Sequence, residues 1–278
     1  MRVPNADAGH DPHQYLAFAN RAGLKDACAV PLSMITGPTA GIGRAFARAL
    51  ASEGHDLVLV SRDEQRLQQV ADDLGAAHGV NCEVLRADLS DMEQTQIVEA
   101  RLRKEPFDML VNNAGFGVKK PFHDSDLEAE QAGLDVMVRA VMRLTWASLG
   151  EMLAAGRGDI VNISSVAGFL PRGTYGAHKA WVTSFSSWAN VRYRHKGVRV
   201  MALCPGFVRT EFHSRMDADM TGTADWMWLD ADDVVRTALR DLRRGKAVSI
   251  PSKRYKLIVG VSHLSPRGLT ERIARRGR

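Results

Sequence analysis

From Leu32 onward the chain alternates short apolar runs with longer amphipathic stretches, a rhythm that few folds accommodate. PLSMIT (31–36), HDLVLVS (55–61), CEVLRAD (82–88), FDMLVN (107–112), GDIVNIS (158–164), GVRVMAL (197–203) and AVSIP (247–251) read as strands, several of them rich in β-branched residues. Between them, GRAFARALASEG, DEQRLQQVADDLG, a long run from about Leu127 to Ala155, and AHKAWVTSFSSWANVRYRHKG carry apolar residues at helical spacing, and several close on glycine. Strands regularly separated by helices pair in parallel through right-handed crossovers, so the pattern predicts an open α/β sheet covered on both faces. Residues 31–278 read as one domain, and residues 1–30, with two prolines and no sustained period, as a partly disordered extension outside the sheet.

Composition narrows the function classes. With 45% hydrophobic and 25% charged residues the chain is an ordinary globular protein. Cys28, Cys82 and Cys204 lie far apart without a C-x-x-C, which argues against a disulfide framework and a zinc site and suits a reducing cytoplasm. The histidines show no metal-ligand spacing, so no metal is expected. No segment approaches the roughly 18 apolar residues of a membrane span, and residues 1–29 lack the apolar core of a signal peptide. A cytoplasmic location without an integral membrane segment follows as the expectation. The net charge of +5 is concentrated in ERIARRGR, where Arg272, Arg275, Arg276 and Arg278 close a basic extension over 252–278. That tail reads as a solvated helix end or frayed terminus, with contact to nucleic acid or an acidic membrane surface as the alternative; no nucleic-acid function is expected.

The first strand runs directly into TGPTAGIG, residues 36–43, and the next residues open a helix. Gly37, Gly41 and Gly43 let the backbone turn tightly and approach a pyrophosphate, toward which the helix N-terminus directs unpaired N–H groups and a partial positive charge. A glycine-rich turn in this position, after the first strand, predicts a dinucleotide site.

The spacing T-G-x-x-x-G-x-G departs from the usual G-x-G-x-x-G and resembles that of the short-chain dehydrogenase/reductase family. NNAG (112–115), the serine of NISSVAG (162–168), Tyr175 and Lys179 as Y-x-x-x-K, and PGFVRT (205–210) extend the resemblance in the family's order across about residues 32–250. It implies a Rossmann-like, doubly wound parallel sheet of about seven strands with helices on both faces. It also implies a nicotinamide cofactor and hydride transfer to a carbonyl or from a secondary alcohol. Implied cofactor contacts are Gly37, Thr39, Gly41, Ile42 and Gly43 in the first turn; Asp88 at the adenine edge; Asn113, Ala114 and Gly115; Tyr175 and Lys179; and Pro205, Gly206, Val208 and Thr210, with Thr210 on the nicotinamide carboxamide. Asn112 would help hold the sheet beside the cofactor. For Asp88 and Thr210 the plainer reading is a helix cap.

The second strand ends in VSRDE, with Ser61 where an NAD site needs a carboxylate and Arg62 next. A 2′-phosphate pairs well with a guanidinium and badly with a carboxylate, which favours NADP(H) over NAD(H). Asp63 turning toward the ribose, with Arg62 as plain surface, is the alternative.

Hydride transfer to a carbonyl needs a proton donor for the developing alkoxide. A phenol with a pKa near 10 serves both directions at neutral pH only if its anion is stabilised. Lys179, one helical turn from Tyr175, is expected to supply that charge. Ser165, ten residues before Tyr175, would donate to the substrate oxygen, and Ser164 would point into the structure. This interval is shorter than is common in the family, which requires a tight FLPRG loop. His178 is expected to face elsewhere, in a packing or surface role.

One position departs from the family pattern: where an asparagine often stands in the helix after NNAG, this chain reads LDVMV and has Met137. A thioether is only a weak acceptor, so the water that an amide would hold beside the lysine loses its anchor. Residues 211–229, EFHSRMDADMTGTADWMWL, read as a substrate loop or lid, which suggests a lipophilic substrate; a core or interface role is the alternative. The expected function is therefore NADPH-dependent reduction of a carbonyl, or oxidation of an alcohol, on a small molecule. By resemblance, the helices from Leu127 and Tyr175 would build a homodimer or homotetramer. A catalytically impaired dinucleotide-binding sensor or scaffold is the alternative.

Overall fold

In the computed structural model, the residues described are 30–117, 120–171, 173–210 and 224–264; the expectations for residues 1–29, 211–223 and 265–278 lie outside them. Strands β1 (Leu32–Thr36), β2 (Asp56–Ser61), β3 (Cys82–Arg86), β4 (Met109–Asn112), β5 (Gly158–Ile163), β6 (Val198–Leu203) and β7 (Val248–Ser249) stand in the order β3-β2-β1-β4-β5-β6-β7. Every pairing is parallel. The described helices are α1 (Gly41–Ser52), α2 (Glu64–His78), α3 (Met92–Leu102), α4 (Leu127–Leu134), α5 (Ala140–Ala155), α6 (Gly173–Tyr193), α7 (Ala231–Arg243) and α8 (Lys253–Leu264). The predicted doubly wound sheet is the one found.

Successive strand side chains point to opposite faces, and here both faces are dry except along the edge strand β3, where Glu83 and Arg86 are exposed. Ile35, Leu57, Leu59, Val111, Val161 and Leu203 pack with α1, α2 and α7 in one core. Their neighbours Met34, Val58, Val60, Leu110, Ile160 and Val200 pack with α3, α5 and α6 in the other. This two-sided burial is why the strands read as unbroken apolar runs rather than alternating ones.

Asp63, Asp91, Asp126 and Asp230 accept backbone N–H bonds at the starts of α2, α3, α4 and α7, satisfying donors that a helix start leaves free. Gly79 and Gly156 end α2 and α5 in the left-handed conformation. The run read as one helix from Leu127 to Ala155 is interrupted: between α4 and α5 the residues Asp135–Arg139 take a π-helical turn, centred on Met137.

A polar chain crosses the second core beneath the strand ends. Asn112 Nδ2 donates to Asn162 Oδ1 at 2.9 Å and to Thr145 Oγ1 at 3.3 Å, Asn162 Nδ2 donates to Ser186 Oγ at 3.0 Å, and Ser186 donates to the Val182 carbonyl at 2.7 Å. The chain thus ties β4, β5, α5 and α6 together and fixes the height of α6 against the sheet.

Candidate active site

The strand order reverses between β1 and β4, which opens a crevice at the carboxyl ends of the strands, where open α/β sheets bind ligands. The sequence-predicted residues are found along that edge. Gly37 and Gly41 have positive φ, 68° and 55°. A Cβ on Gly43 would lie 2.2 Å from the Gly37 carbonyl oxygen and 2.4 Å from Asn113 Nδ2, and one on Gly41 would lie 2.8 Å from Thr210 Cγ2. Asn113 Nδ2 donates to the carbonyls of Thr36 and Gly37 at 3.0 and 2.8 Å, while the amides of Asn113 and Ala114 donate to Thr36 Oγ1 at 2.9 and 3.0 Å. The turn is therefore pinned from beneath by Asn113. Asn112 instead serves the core chain.

This is a cradle that side chains would fill, and it fits a dinucleotide: Thr39, Ala40 and Ile42 lie within the turn and first helical residues, at the positive end of α1. Gly43→Ala is expected to cost about 1–3 kcal/mol by overpacking, read as a lowered urea midpoint, and to weaken dinucleotide binding in a fluorescence titration. Unchanged midpoint and affinity would contradict the tight-turn assignment.

At the far end of the crevice Ser61 closes β2, and Arg62 Nη1 lies 3.7 Å from Asp88 Oδ2. Arg62 is largely exposed, so the pair holds it only weakly. Asp88 accepts from the backbone and hydroxyl of Ser90 at 2.9 and 2.7 Å, and the cap on α3 comes from Asp91 rather than Asp88. Asp63 is the cap of α2, accepting from the Arg66 amide at 3.0 Å.

At the centre, Ser165 follows β5 by two residues and opens the short 3-10 turn Val166–Phe169, its hydroxyl accepting from the Ala167 amide at 3.1 Å. The tight loop required by the short serine-to-tyrosine interval is this turn, together with a start of α6 at Gly173. Tyr175 and Ser165 are joined by a side-chain hydrogen bond. Ser164 faces inward, donating to the Lys179 carbonyl at 2.7 Å, with Thr183 Oγ1 also at 2.7 Å.

Lys179 is 5% exposed; its Nζ donates to the Ile163 carbonyl at 2.8 Å and lies 5.6 Å from the centre of the Tyr175 ring. Burial strips water from the ammonium and lowers its pKa to about 8. Burial likewise pushes the Tyr175 phenol up to about 12, against the pull of its bond to Ser165. Among the protein's own groups desolvation sets the direction at both residues, and the ammonium donates to the Ile163 carbonyl. Cys204, 3.6 Å from Thr183 Oγ1, is pushed up to about 11 by burial and stays a thiol.

Met137 occupies the ground beside the lysine. A Cβ on Gly115 would lie 3.3 Å from Met137 Cγ, 3.5 Å from its Sδ and 3.7 Å from Lys179 Nζ. His178 packs its ring against Gly133 of α4, next to Met137.

The loop Pro205–Thr210 closes the crevice. The Pro205 carbonyl accepts from the Val166 amide at 3.0 Å, and Val208 bridges in parallel to Leu229. Tyr255 of α8 lies flat on Gly206, where a Cβ would be 1.9 Å from its ring; its hydroxyl accepts from the Phe207 amide at 3.1 Å and donates to the Met227 carbonyl at 2.8 Å. Sequence reasoning missed this clamp, since no local pattern links a tyrosine to a glycine 49 residues earlier. Among the described residues no group of three or more His, Cys, Asp or Glu is placed to hold a metal, and no helix is long and apolar enough to cross a membrane.

A glycine cradle at the switch point, with a serine, a tyrosine and a buried lysine converging beside it, defines a nicotinamide-dependent oxidoreductase of the α/β type. The sequence profile of the short chain dehydrogenase family matches residues 32–221, and the chain belongs to that family. Among solved structures it is similar to a short-chain dehydrogenase from Sphingobium yanoikuyae in complex with NADPH, 35% identical over 84% of this chain and 94% of that one, with a TM-score of 0.77. A bulky-bulky ketone specific alcohol dehydrogenase from Comamonas testosteroni is 31% identical over 85% and 93% of the two chains, with a TM-score of 0.74. A family member from Burkholderia phymatum in complex with NAD is 27% identical over 84% and 93%, also with a TM-score of 0.74.

Proposed function

We propose that this protein is an NADPH-dependent carbonyl reductase acting on a lipophilic ketone, with Tyr175 as acid/base, Ser165 as donor to the substrate oxygen and Lys179 as electrostatic partner and ribose anchor. The observation that carries the reading is the hydrogen-bonded Ser165–Tyr175 pair above the buried Lys179, at the mouth of the glycine cradle. The bound dinucleotide supplies the hydride; the chain's own groups place the carbonyl and deliver the proton. With its phenol at about 12, Tyr175 is a proton donor at neutral pH, which suits reduction. Arg62 beside Asp88 supports NADPH, as does the use of Asp63 as a helix cap rather than a ribose ligand. Phe207 and Trp228, 5.7 Å apart at the base of the 211–229 segment, and the exposed Trp226 support an apolar substrate, in keeping with the bulky-ketone relative. A reducing, cytoplasmic setting suits the free thiols of Cys82 and Cys204.

The test is oxidation of NADPH and of NADH against acetone, cyclohexanone, acetophenone and benzophenone, with a Tyr175→Phe control. Faster turnover of the aromatic ketones with NADPH is expected. Dinucleotide binding without Tyr175-dependent turnover would identify a sensor or scaffold instead.

The protein acts as a homodimer or homotetramer in this reading. Met142 and Trp146 of α5 and Trp188 and Val191 of α6 stand exposed on the outer surface, more apolar area than a solvated helix pair needs. Replacing Trp146 and Trp188 together with Glu is expected to shift sedimentation toward the monomer, and an unchanged boundary would place the interface elsewhere.

A further inference from the structure

Helix α8 is apolar on two sides. Tyr255 and Val259, one turn apart, are buried, with the Tyr255 ring on Gly206. Arg254, Leu257, Ile258 and Val261 stand at i, i+3, i+4 and i+7 and share the outer side. A helix with one buried face ordinarily turns a polar one outward. Here Leu257 is 69% exposed, and Ile258 and Val261 are exposed beside it.

Trp226 widens this strip. Its ring is 56% exposed, the Arg254 guanidinium carbon lies 5.8 Å from the ring centre, and the Tyr255 hydroxyl donates to the Met227 carbonyl, which holds the turn Asp225–Met227 against α8. The residues interleaved with the apolar ones are cationic: Lys253, Arg254 and Lys256 are all exposed, and KRYKLIVGVSHL contains no acid. They open α8, at its positive end, so their charge is not answered within the helix. Of the acids close by, Asp225 pairs with Arg209 at 3.0 Å, and Asp241, on which Lys256 acts, pairs with Lys246 at 2.7 Å. Further along the sequence come Arg267, Arg272, Arg275, Arg276 and Arg278 against Glu271 alone, so residues 251–278 hold more positive charge than the net +5 of the whole chain.

We infer that the outer face of α8, together with Trp226, docks the protein onto an anionic lipid surface. The leucine, isoleucine and indole enter the boundary between headgroups and acyl chains, and Lys253, Arg254 and Lys256 meet the lipid phosphates. Charge selects this occupant. In a symmetric contact between two copies of the chain, the three cations would face their own counterparts, whereas an anionic bilayer answers both the apolar strip and the charge. Because Tyr255 of the same helix clamps Gly206, docking brings the loop that closes the crevice toward the bilayer. The inference stands apart from the carbonyl-reductase reading, since neither α8 nor Trp226 enters that chemistry.

The test is flotation of the full-length protein with vesicles of phosphatidylcholine alone or of phosphatidylcholine and phosphatidylglycerol in equal parts. Binding to the mixed vesicles only is expected. Raising the salt from about 0.1 to about 1 M shortens the screening length from about 10 to about 3 Å and should release the protein. Replacing Lys253, Arg254 and Lys256 together with Ala should weaken binding about a hundredfold, and Leu257→Ser with Ile258→Ser about tenfold. These positions are exposed, so the urea midpoint should hardly move. Acyl-chain-brominated lipid should quench tryptophan emission in the parent and not in Trp226→Phe. Replacing Arg272, Arg275, Arg276 and Arg278 with Gln should leave that quenching in place.

Equal binding to both vesicles, full binding without the three α8 cations, or quenching that survives Trp226→Phe overturns the inference. So does loss of all binding in the Arg272–Arg278 variant alone, which moves the contact to the tail. Capture of a duplex oligonucleotide with no vesicle binding would mark a nucleic-acid surface instead, and a sedimentation shift in the Leu257/Ile258 variant with no vesicle binding would mark a contact between copies.

Discussion

Replacing Tyr175 with Phe is expected to lower NADPH-dependent ketone reduction by about a hundred- to ten-thousandfold while dinucleotide affinity changes little. The ring contributes packing beside Lys179, but its hydroxyl is the one acidic O–H at the site that is hydrogen-bonded to a second donor, Ser165. Phe keeps the first property and loses the second, so the variant separates proton delivery from scaffold. A companion pH profile carries its own sign. Lys179 holds its proton below about 8 and loses it as the pH rises through that value, so reduction by the unmodified enzyme should decline across the same range. A Tyr175→Phe enzyme within about tenfold of the parent rate would remove the phenol from the chemistry.

The second large effect concerns the cofactor. Arg62→Ala should weaken NADPH about ten- to hundredfold relative to NADH, since a hydrogen bond to a charged group contributes about 1.5–3 kcal/mol. Among the described residues the side chain is held by an exposed contact to Asp88 at 3.7 Å, which lets it turn to a phosphate at little cost. Arg62→Asp should go further and favour NADH outright, because a carboxylate repels the 2′-phosphate and accepts from a ribose hydroxyl. Measuring kcat/KM for both cofactors with acetophenone checks this; an unchanged ratio in both variants would relocate the discrimination.

Much of the fold was legible because its signals are local or strictly periodic. Both faces of the sheet are buried, so the strands announce themselves as apolar runs, and the first turn announces itself through glycines that later prove to be places where a Cβ has no room. Tyr175 and Lys179 were legible through one helical interval. The remainder depends on contacts distant in sequence. Nothing in AGLDVMVR departs from ordinary helix chemistry, and the π turn coincides with the packing of Met137 against Gly115 and Lys179. The choice of Asp91 over Asp88 as the α3 cap turns on two or three residues of register, finer than a pattern resolves. For His178 helical spacing separates the ring from Tyr175, but only the tertiary fold supplies the glycine notch on α4 that receives it.

The amide chain from Asn112 through Asn162 to Ser186 bears on assembly of the sheet as much as on its finished state. Asn112 and Asn162 are directly paired positions of β4 and β5. A slip of one residue between those strands would send the two amides to opposite faces and strand each in hydrocarbon. Apolar neighbours such as Val and Ile offer no such discrimination, since either fills the other's place at small cost. The paired asparagines thus act as a key that rejects misaligned sheets, and a double replacement by Leu should yield a chain whose loss appears less in denaturation midpoint than in heterogeneity, with broadened NMR lines at the strand ends where the phenol and the ammonium must meet.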